Sequence, residues 1–191
     1  MKLILTGSSG LVGHEILSQY LEHPSPQVVL MEDFSSYPKT TLEAIKGADA
    51  CIWTLGVNPK KMFDDGMARR VNIENTMTAV RLFNDSCQKP FRFVYCSGYL
   101  AERVRPSGSG SFKTTDGQVE TEFLTFDDEN PAFESYILQP ALIKPRSNPN
   151  ESVIAIGPSI KVHELASKML NLALEGGTKK RSKNSEINQE L

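Results

Sequence analysis

The stretch "TGSSGLVG", residues 6–13, decides the fold of this chain. It follows the apolar run "LIL" at residues 3–5, and an apolar pattern with helical spacing begins directly after it. In a turn from a strand to a helix, the first glycine allows the tight turn, the second lets a ligand approach the backbone, and the third lets the helix pack against the sheet. Phosphate groups would lie over the helix N-terminus, where free N–H groups and the helix dipole favour negative charge. The stretch therefore predicts a strand–turn–helix unit shaped for a dinucleotide.

The rest of the chain alternates strand-like and helix-like segments. Further strands are predicted at residues 27–31, 50–55, 91–98 and 135–143, and further helices at residues 40–46, 66–88, 114–126 and 162–175. Such alternation is typical of βαβ units around a parallel sheet, so we expect one doubly wound α/β domain over residues 1–177. Residues 178–191, "TKKRSKNSEINQEL", are predicted to form a polar, solvated tail.

The composition argues against several classes of partner and site. The chain has 191 residues and a formal net charge of −2, with both signs spread along it, so we expect neither nucleic acid nor a membrane surface as its partner. A membrane span needs about 18 apolar residues in a row, and the sequence has no such run. The three histidines are scattered and the three cysteines lack zinc-ligand spacing, so no metal site is expected. The odd cysteine count indicates reduced thiols, and the first residues leave no room for a signal peptide, which predicts a cytoplasmic protein.

The glycine stretch and later segments together resemble the short-chain dehydrogenase/reductase superfamily in its atypical subgroup. That subgroup uses the spacing T-G-x-x-G-x-x-G, and the later segments are "GADACIWTLG" (47–56), "VNIENT" (71–76), "FRFVYCSG" (91–98) and "ILQPALI" (137–143). The resemblance covers roughly residues 2–175. More narrowly, the chain resembles a group of small fungal proteins, many of which are tied to natural-product pathways. It implies a Rossmann-like sheet. Family members place two strands between the first helix and the segment matching 47–56, whereas this chain offers one, so the sheet is predicted to be shortened by one strand–helix unit.

The resemblance also implies a nucleotide site. Its residues would be Gly7, Ser8, Ser9, Gly10, Leu11, Val12, Gly13, Leu55 and Gly56. Two interpretations of residues 27–33 stay open. In one, Glu32 binds the ribose and the cofactor is NAD-like; in the other, Asp33 contacts adenine and most of the adenosine pocket is deleted. No basic residue stands near Glu32 to bind a 2′-phosphate, which argues against NADP. The alternatives for the cofactor are therefore NAD, NADP or none.

The family's catalytic residues are only partly present. Ser97 stands at the position of the catalytic serine, where it would be an oxyanion donor or the partner of an acid. A serine that merely satisfies the end of a strand is an equal alternative. The family's hydride chemistry needs a Tyr-x-x-x-Lys pair whose tyrosine donates the proton. The segment "DGQVE" (116–120) resembles the family's K-G-x-x-E helix, which puts Phe112 at the tyrosine position and Asp116 at the lysine position. Phe112 has no proton to give, and Asp116 has the wrong charge for a ribose clamp.

Two other groups are candidates for proton transfer. Tyr99 follows Ser97 too closely to form the standard pair, but its phenol could point into the pocket. Asp116 shares a helix face with Glu120 and could act as a general base. For Glu120 itself, a solvated acidic face is the favoured interpretation.

The resemblance implies that Asn72, Phe112, Gln139 and Pro140 lie around the substrate, with Gln139 replacing an arginine of the family. Loss of the Tyr–Lys pair predicts an enzyme that converts a small molecule without net redox change, by cyclisation, isomerisation or dehydration. One alternative is an NAD(P)-dependent oxidoreductase with Tyr99 as proton donor, and another is a non-catalytic binding or regulatory protein. Family members often pair through the two long helices, here residues 66–88 and 113–127, so a homodimer is also expected.

Overall fold

The computed structural model describes residues 1–21, 31, 33–57, 65–99, 101, 111–146 and 157–187, with the backbone alone described at 65 and 111–116. Its strands are β1 (Leu3–Thr6), β2 (Ala50–Trp53), β3 (Phe91–Cys96), β4 (Phe133–Gln139), β5 (Leu142–Lys144), β6 (Ser159–Lys161) and β7 (Arg181–Lys183). Its α-helices are α1 (Leu11–Tyr20), α2 (Lys39–Ile45), α3 (Asp65–Arg69), α4 (Asn75–Ser86), α5 (Ser111–Glu129), α6 (Val162–Glu175) and α7 (Asn184–Ile187), and a π-helical turn (Arg70–Glu74) joins α3 to α4.

Five parallel strands form the central sheet in the order β1-β2-β3-β4-β7. Two short strands, β5 and β6, pair separately, also in parallel. The register aligns Thr6 with Trp53, and Trp53 with Tyr95. The strands therefore end together at one carboxyl edge, where a doubly wound sheet carries its ligand crevice.

Helices cover both faces of this sheet. On one face α1 and α6 bury Ile16, Leu165 and Met169 against the strands. On the other, α2, α4 and α5 enclose an aromatic core that includes Trp53, Phe83, Phe91, Phe93, Phe123 and Phe133. This arrangement confirms the predicted doubly wound α/β domain.

The sheet is shortened on the β1 side, as the sequence predicts. Between the end of α1 at Tyr20 and the start of β2 at Ala50, the described chain forms a single helix, α2. Among the described residues, the central sheet has five strands and ends at β1, which agrees with a shortened sheet. The strand predicted at 27–31 lies almost entirely outside the described residues.

The prediction of a solvated tail from residue 178 onward is wrong. Residues 181–183 form β7, which extends the sheet beside β4, and α7 follows with Ile187 fully buried. The sequence lacks the apolar pattern of a strand here, because Arg181 and Lys183 are charged and the buried residue between them, Ser182, is small and polar. The domain therefore reaches at least residue 187.

Candidate functional site

The glycine loop between β1 and α1 adopts the predicted turn. Gly7 has a φ of +71°, and the Gly10 N–H donates to the Gly7 carbonyl at 2.9 Å. A Cβ added at Gly7 would lie 2.6 Å from Thr54 Oγ1, and one added at Gly13 would lie 2.2 Å from the Gly7 carbonyl oxygen. The chain's own packing therefore requires glycine at positions 7 and 13.

Gly10 differs from the other two glycines. A Cβ there would meet only the Gly7 carbonyl oxygen, at 3.2 Å, and its φ of −82° suits any residue. Gly10 also lines the cleft at the carboxyl edge of the sheet. Because the fold barely needs a glycine here, the open cradle fits the close approach of a ligand such as a diphosphate.

The cleft occupies about 300 Å³ between the start of α1 and the ends of β1, β2 and β3. Its lining comprises Gly10, Leu11, Val12, Gly13, Thr54, Leu55, Gly56, Val57, Asn72, Tyr95, Cys96, Ser97, Gly98 and Ile143. Apolar side chains dominate this lining, as in most small-molecule sites. The cleft thus combines a phosphate-type cradle with an apolar wall.

Four buried or half-buried polar residues meet behind the cleft, and we call them the Ser97 cluster: Ser97, Glu120, Gln139 and Arg181. Ser97 Oγ donates to Glu120 Oε1 at 2.6 Å, and Gln139 Nε2 donates to the same oxygen at 2.7 Å. Arg181 NH1 lies 3.9 Å from Glu120 Oε2. Glu120 itself is fully buried. The cluster ties α5 to β3, β4 and β7 directly beneath Ser97.

This geometry corrects the expectation for Glu120. Glu120 and Asp116 are one helical turn apart and share a helix face, and for Glu120 the sequence favours a solvated acidic face. Instead, α5 turns Glu120 toward the sheet, where two hydrogen-bond donors and a guanidinium compensate its burial. The sequence signal that could have found it is the resemblance of "GQVE" (117–120) to the family helix that follows the serine strand.

The predicted site residues are only partly brought together. Gly10, Leu11, Val12, Gly13, Leu55, Gly56, Asn72 and Ser97 all line the cleft. Asn72 Oδ1 accepts the Val57 N–H at 3.1 Å and so holds the loop that follows β2. Gln139 and Pro140 are buried, with Gln139 behind Ser97 rather than in the lining. Tyr99 is 46% exposed and is not part of the described lining.

The remaining predicted residues lie away from the described lining or outside the description. Asp33 is exposed and accepts the Ser35 N–H and hydroxyl at 2.8 and 2.7 Å, and these bonds lower the pKa of its carboxyl. Ser8 and Ser9 are exposed at the turn of the glycine loop. Glu32 and the side chains of Phe112 and Asp116 lie outside the described residues.

Sequence reasoning missed several cleft residues. Tyr95 precedes Ser97 by two positions, so strand alternation puts both side chains on the same face, whereas Cys96 packs against the opposite core. Thr54 donates to the Thr6 carbonyl at 2.7 Å and so joins the ends of β1 and β2.

Cys51 lies in the core rather than in the cleft. Burial raises the pKa of its thiol well above its usual range, in keeping with its expected role as a small core residue.

A second serine–carboxylate arrangement on α5 provides a comparison, and we call it the Ser135 cluster: Ser135, Asp127 and Lys180. Ser135 Oγ donates to Asp127 Oδ2 at 3.1 Å, and Lys180 Nζ lies 3.1 Å from the same oxygen. Ser135 pairs in register with Phe93, near the start of β4, and lies outside the described cleft lining. The Ser135 cluster therefore fastens α5 to the sheet far from the carboxyl edge.

Neither a metal-binding cluster nor a membrane-spanning helix is found among the residues that the structure describes. The described residues contain no group of three or more His, Cys, Asp or Glu that could hold a metal ion. In the described ranges no helix is long and apolar enough to cross a bilayer.

Comparison with known proteins adds one relative in sequence. No protein-family model matches the chain. The leucinostatins biosynthesis cluster protein T of Purpureocillium lilacinum is 29% identical over 216 residues, covering 90% of this chain and 74% of the relative. Because this alignment is longer than the 191-residue chain, it contains gaps in this chain.

Solved structures match most of the chain. A short-chain dehydrogenase/reductase of the glucose/ribitol dehydrogenase type from Brucella melitensis has a TM-score of 0.74 at 15% identity, covering 94% of this chain and 92% of that one. RMD from Pseudomonas aeruginosa, complexed with NADPH, has a TM-score of 0.71 at 15% identity, with 96% and 78% covered. A short-chain dehydrogenase from Burkholderia cenocepacia, in complex with NADP, has a TM-score of 0.68 at 18% identity, with 100% and 94% covered. At these identities the likeness shows a common fold.

Proposed function

We propose that this chain, which has the Rossmann fold of the short-chain dehydrogenases/reductases, converts a small molecule of natural-product biosynthesis without net redox change. The reaction class is cyclisation, isomerisation or dehydration. One observation carries the proposal: the hydroxyl of Ser97, in the cleft, is bonded at 2.6 Å to the fully buried carboxylate of Glu120.

This arrangement differs from the one that hydride transfer uses in the family that the sequence resembles. There a tyrosine next to the serine donates a proton and a lysine lowers its pKa. Here those positions hold Phe112 and Asp116, and the serine is backed by a negative charge. A carboxylate behind the serine suits holding or accepting a proton, which cyclisations, isomerisations and dehydrations all need.

The cleft itself supplies the other part of such catalysis. Leu11, Val12 and Ile143 line the same cleft as Ser97 and give it apolar surface. An apolar cleft excludes water and holds a flexible substrate in one reactive shape. Asn72 accepts the Val57 N–H and so fixes the loop at the rim of the cleft. A rim that is already ordered can orient a substrate without first having to be ordered itself.

A nicotinamide dinucleotide fits part of the site. The Gly10 cradle and the start of α1 would hold its diphosphate, and Leu55 and Gly56 would pass beneath it. When bound, NAD or NADP supplies a hydride donor or acceptor. In the redox-neutral reaction that we propose, the chain's own residues bind the substrate, exclude water and hold the proton at Ser97.

The biosynthetic setting rests on the sequence relative, whose name places it in the leucinostatins biosynthesis cluster. The test is therefore made in the organism that carries the gene, by replacing it with Ser97→Ala or Ser135→Ala and comparing metabolites by high-resolution mass spectrometry. Ser135→Ala is the matched control because it removes a buried serine hydroxyl that also bonds a carboxylate.

The proposal expects Ser97→Ala to accumulate a precursor that has the same elemental composition as the lost product or differs from it by one water. A precursor that differs by two hydrogens would overturn the redox-neutral reaction and favour an oxidoreductase. Unchanged metabolites in both variants would favour a non-catalytic protein.

The second candidate is an NAD(P)-dependent oxidoreductase, favoured by the Gly10 cradle and by fold neighbours solved with NADPH and NADP. In this case Tyr99 would be the proton donor. Calorimetry with NADH and NADPH tests it: micromolar affinity that is lost in Gly10→Ala supports it. Gly10→Ala is expected to leave the fold intact, so an unfolded variant would show that position 10 serves the fold rather than a ligand.

A further inference from the structure

The direction of the hydrogen bond between Ser97 and Glu120 follows from the groups around the carboxylate. Gln139 donates its amide N–H to Oε1, and the Arg181 guanidinium faces Oε2 at 3.9 Å. The hydroxyl of Ser97 and the amide N–H of Gln139 both point at Oε1, so this oxygen accepts both bonds, and Ser97 gives its hydrogen to Glu120.

This bond uses the single hydrogen that a serine hydroxyl can donate. The Ser97 backbone N–H is also engaged, since it donates to the Leu138 carbonyl at 2.8 Å. Ser97 thus has neither donor left for a molecule in the cleft, while its hydroxyl oxygen keeps lone pairs that can accept. The role of oxyanion donor considered for Ser97 does not fit this geometry.

We infer that Ser97 selects a substrate that donates a hydrogen bond to it, namely an alcohol on a largely apolar small molecule, and disfavours the corresponding carbonyl compound. Glu120 is the positioning residue that fixes this polarity. The inference deepens the proposed function and rests on it, because it assumes that the cleft binds the substrate.

Discrimination arises from an unpaired acceptor. A hydroxyl group satisfies Ser97 Oγ, whereas a carbonyl placed there brings two acceptors together and leaves both without a donor. Sites built around one polar partner reject the wrong analogue by tenfold or much more for this reason. The apolar residues Leu11, Val12 and Ile143 line the same cleft and suit the apolar part of such a molecule.

Glu120→Gln is expected to reverse the polarity. Arg181 would attract the amide oxygen of the new side chain, which turns its NH₂ toward Ser97 and Gln139. Gln139 can rotate its own amide to accept, and Ser97 then accepts from residue 120 and is free to donate into the cleft. Asp127→Asn makes the same chemical change in the Ser135 cluster and is the matched control.

The binding experiment uses the full-length, isotope-labelled chain and two probes, menthol and menthone, which differ only in hydroxyl against carbonyl. The backbone amide signals of Ser97 and Gly98 are followed by NMR titration. The wild type and Asp127→Asn are expected to bind menthol at least about tenfold more tightly than menthone. In Glu120→Gln the ratio is expected to fall at least fivefold, or to invert.

The outcomes separate the two proposals. Equal or tighter binding of menthone by the wild type overturns the inference about Ser97 and leaves the small-molecule cleft standing. Binding of neither probe counts against the cleft as a site for compact apolar molecules, and so against the proposed function.

A second measurement tests the polarity without any ligand. The infrared difference between the wild type and Glu120→Gln is expected to show loss of an ionised carboxylate band. Loss of a protonated carboxyl band would overturn the inference. Circular dichroism of each variant checks that it is folded. If Glu120→Gln fails to fold, Glu120→Asp takes its place, and because it keeps the carboxylate it is expected to retain part of the menthol preference.

Discussion

The Ser97 cluster and the Ser135 cluster contain the same chemical parts. Each joins a buried serine on the sheet to a carboxylate of α5 and to a cation at the start of the last strand. The two carboxylates are about two helical turns apart on the same face of α5, and the two cations, Lys180 and Arg181, are neighbours in the chain. The difference is position: Ser97 lies past the end of β3 in the cleft, while Ser135 lies near the start of β4.

Position decides what the same chemistry can do. At the amino end of the sheet, a serine–carboxylate pair only fastens a helix. At the carboxyl edge, where parallel strands leave a crevice, it also sets the hydrogen-bonding polarity of a cleft. Comparing the two clusters therefore separates structural from functional contributions.

The largest effect on stability is expected for Glu120→Leu against Asp127→Leu. Glu120→Leu leaves Ser97 and Gln139 without their acceptor and places Arg181 against an apolar side chain, so we expect a loss of about 3 kcal/mol in the free energy of unfolding. Asp127→Leu frees Lys180, which is 42% exposed, to turn into water, and should cost about 1.5 kcal/mol. Urea unfolding followed by the fluorescence of Trp53, the sole tryptophan in the sequence, measures both. Equal losses would contradict the difference in burial.

The cations provide the next contrast. Arg181→Met removes the guanidinium beside the fully buried Glu120 and is expected to cost about 1.5 kcal/mol. Lys180→Met removes a more exposed cation, which also lies 5.4 Å above the Tyr136 ring, and should cost about 0.5 kcal/mol. The same urea titration decides, and a larger loss in Lys180→Met would show that Lys180 is the stronger fastener.

The serines themselves should be equal in stability and unequal in binding. Ser97→Ala and Ser135→Ala each remove one hydroxyl hydrogen bond to a carboxylate, and each is expected to lose about 1 kcal/mol. The preference for menthol over menthone should vanish in Ser97→Ala alone. If Ser135→Ala abolished the preference too, the two clusters would not be independent.

The contrast also marks where sequence reasoning succeeds and fails. The glycine loop was predictable because Gly7 and Gly13 are demanded by local packing, which a spacing rule captures. The alternation of apolar strands and amphipathic helices gave the doubly wound sheet for the same reason. Both features depend on residues that are close together in the sequence, so the local pattern is enough to predict them.

The Ser97 cluster and β7 were beyond reach because they are long-range and mutually dependent. "KKR" at residues 179–181 was taken as the start of a solvated tail, since no neighbouring sequence shows that Lys180 and Arg181 meet carboxylates of α5. Glu120 was assigned to a solvated face because its three partners come from β3, β4 and β7. A buried charge and its compensating cation can be recognised only together, once the topology is known.

An ion pair between an exposed arginine and a buried glutamate extends the comparison and carries a small expected effect. Arg146, largely exposed, bonds both carboxyl oxygens of Glu15 on α1, at distances from 2.6 to 3.0 Å. These bonds hold the pKa of Glu15 below its usual value of 4.5, with Gln19 adding to the effect. A carboxyl whose pKa is lower in the folded than in the unfolded state stabilises the fold above the unfolded value, and this contribution is lost as the pH falls through the folded value. Arg146→Met is therefore expected to lose about 0.5 kcal/mol at pH 7, and the difference from wild type should shrink as the pH drops below 4.5.

Arg81→Met, which removes an exposed arginine of α4, is the matched control for this ion pair and should show no such dependence on acid. Urea unfolding at several pH values measures both variants against the wild type. A difference for Arg146→Met that persists unchanged into strong acid would mean that Arg146 stabilises the fold through packing of its stem rather than through the charge of Glu15. The outcome sets the scale of an ion pair whose cation is largely exposed, against which the larger cost expected at Glu120 can be attributed to a less exposed cation and a fully buried carboxylate.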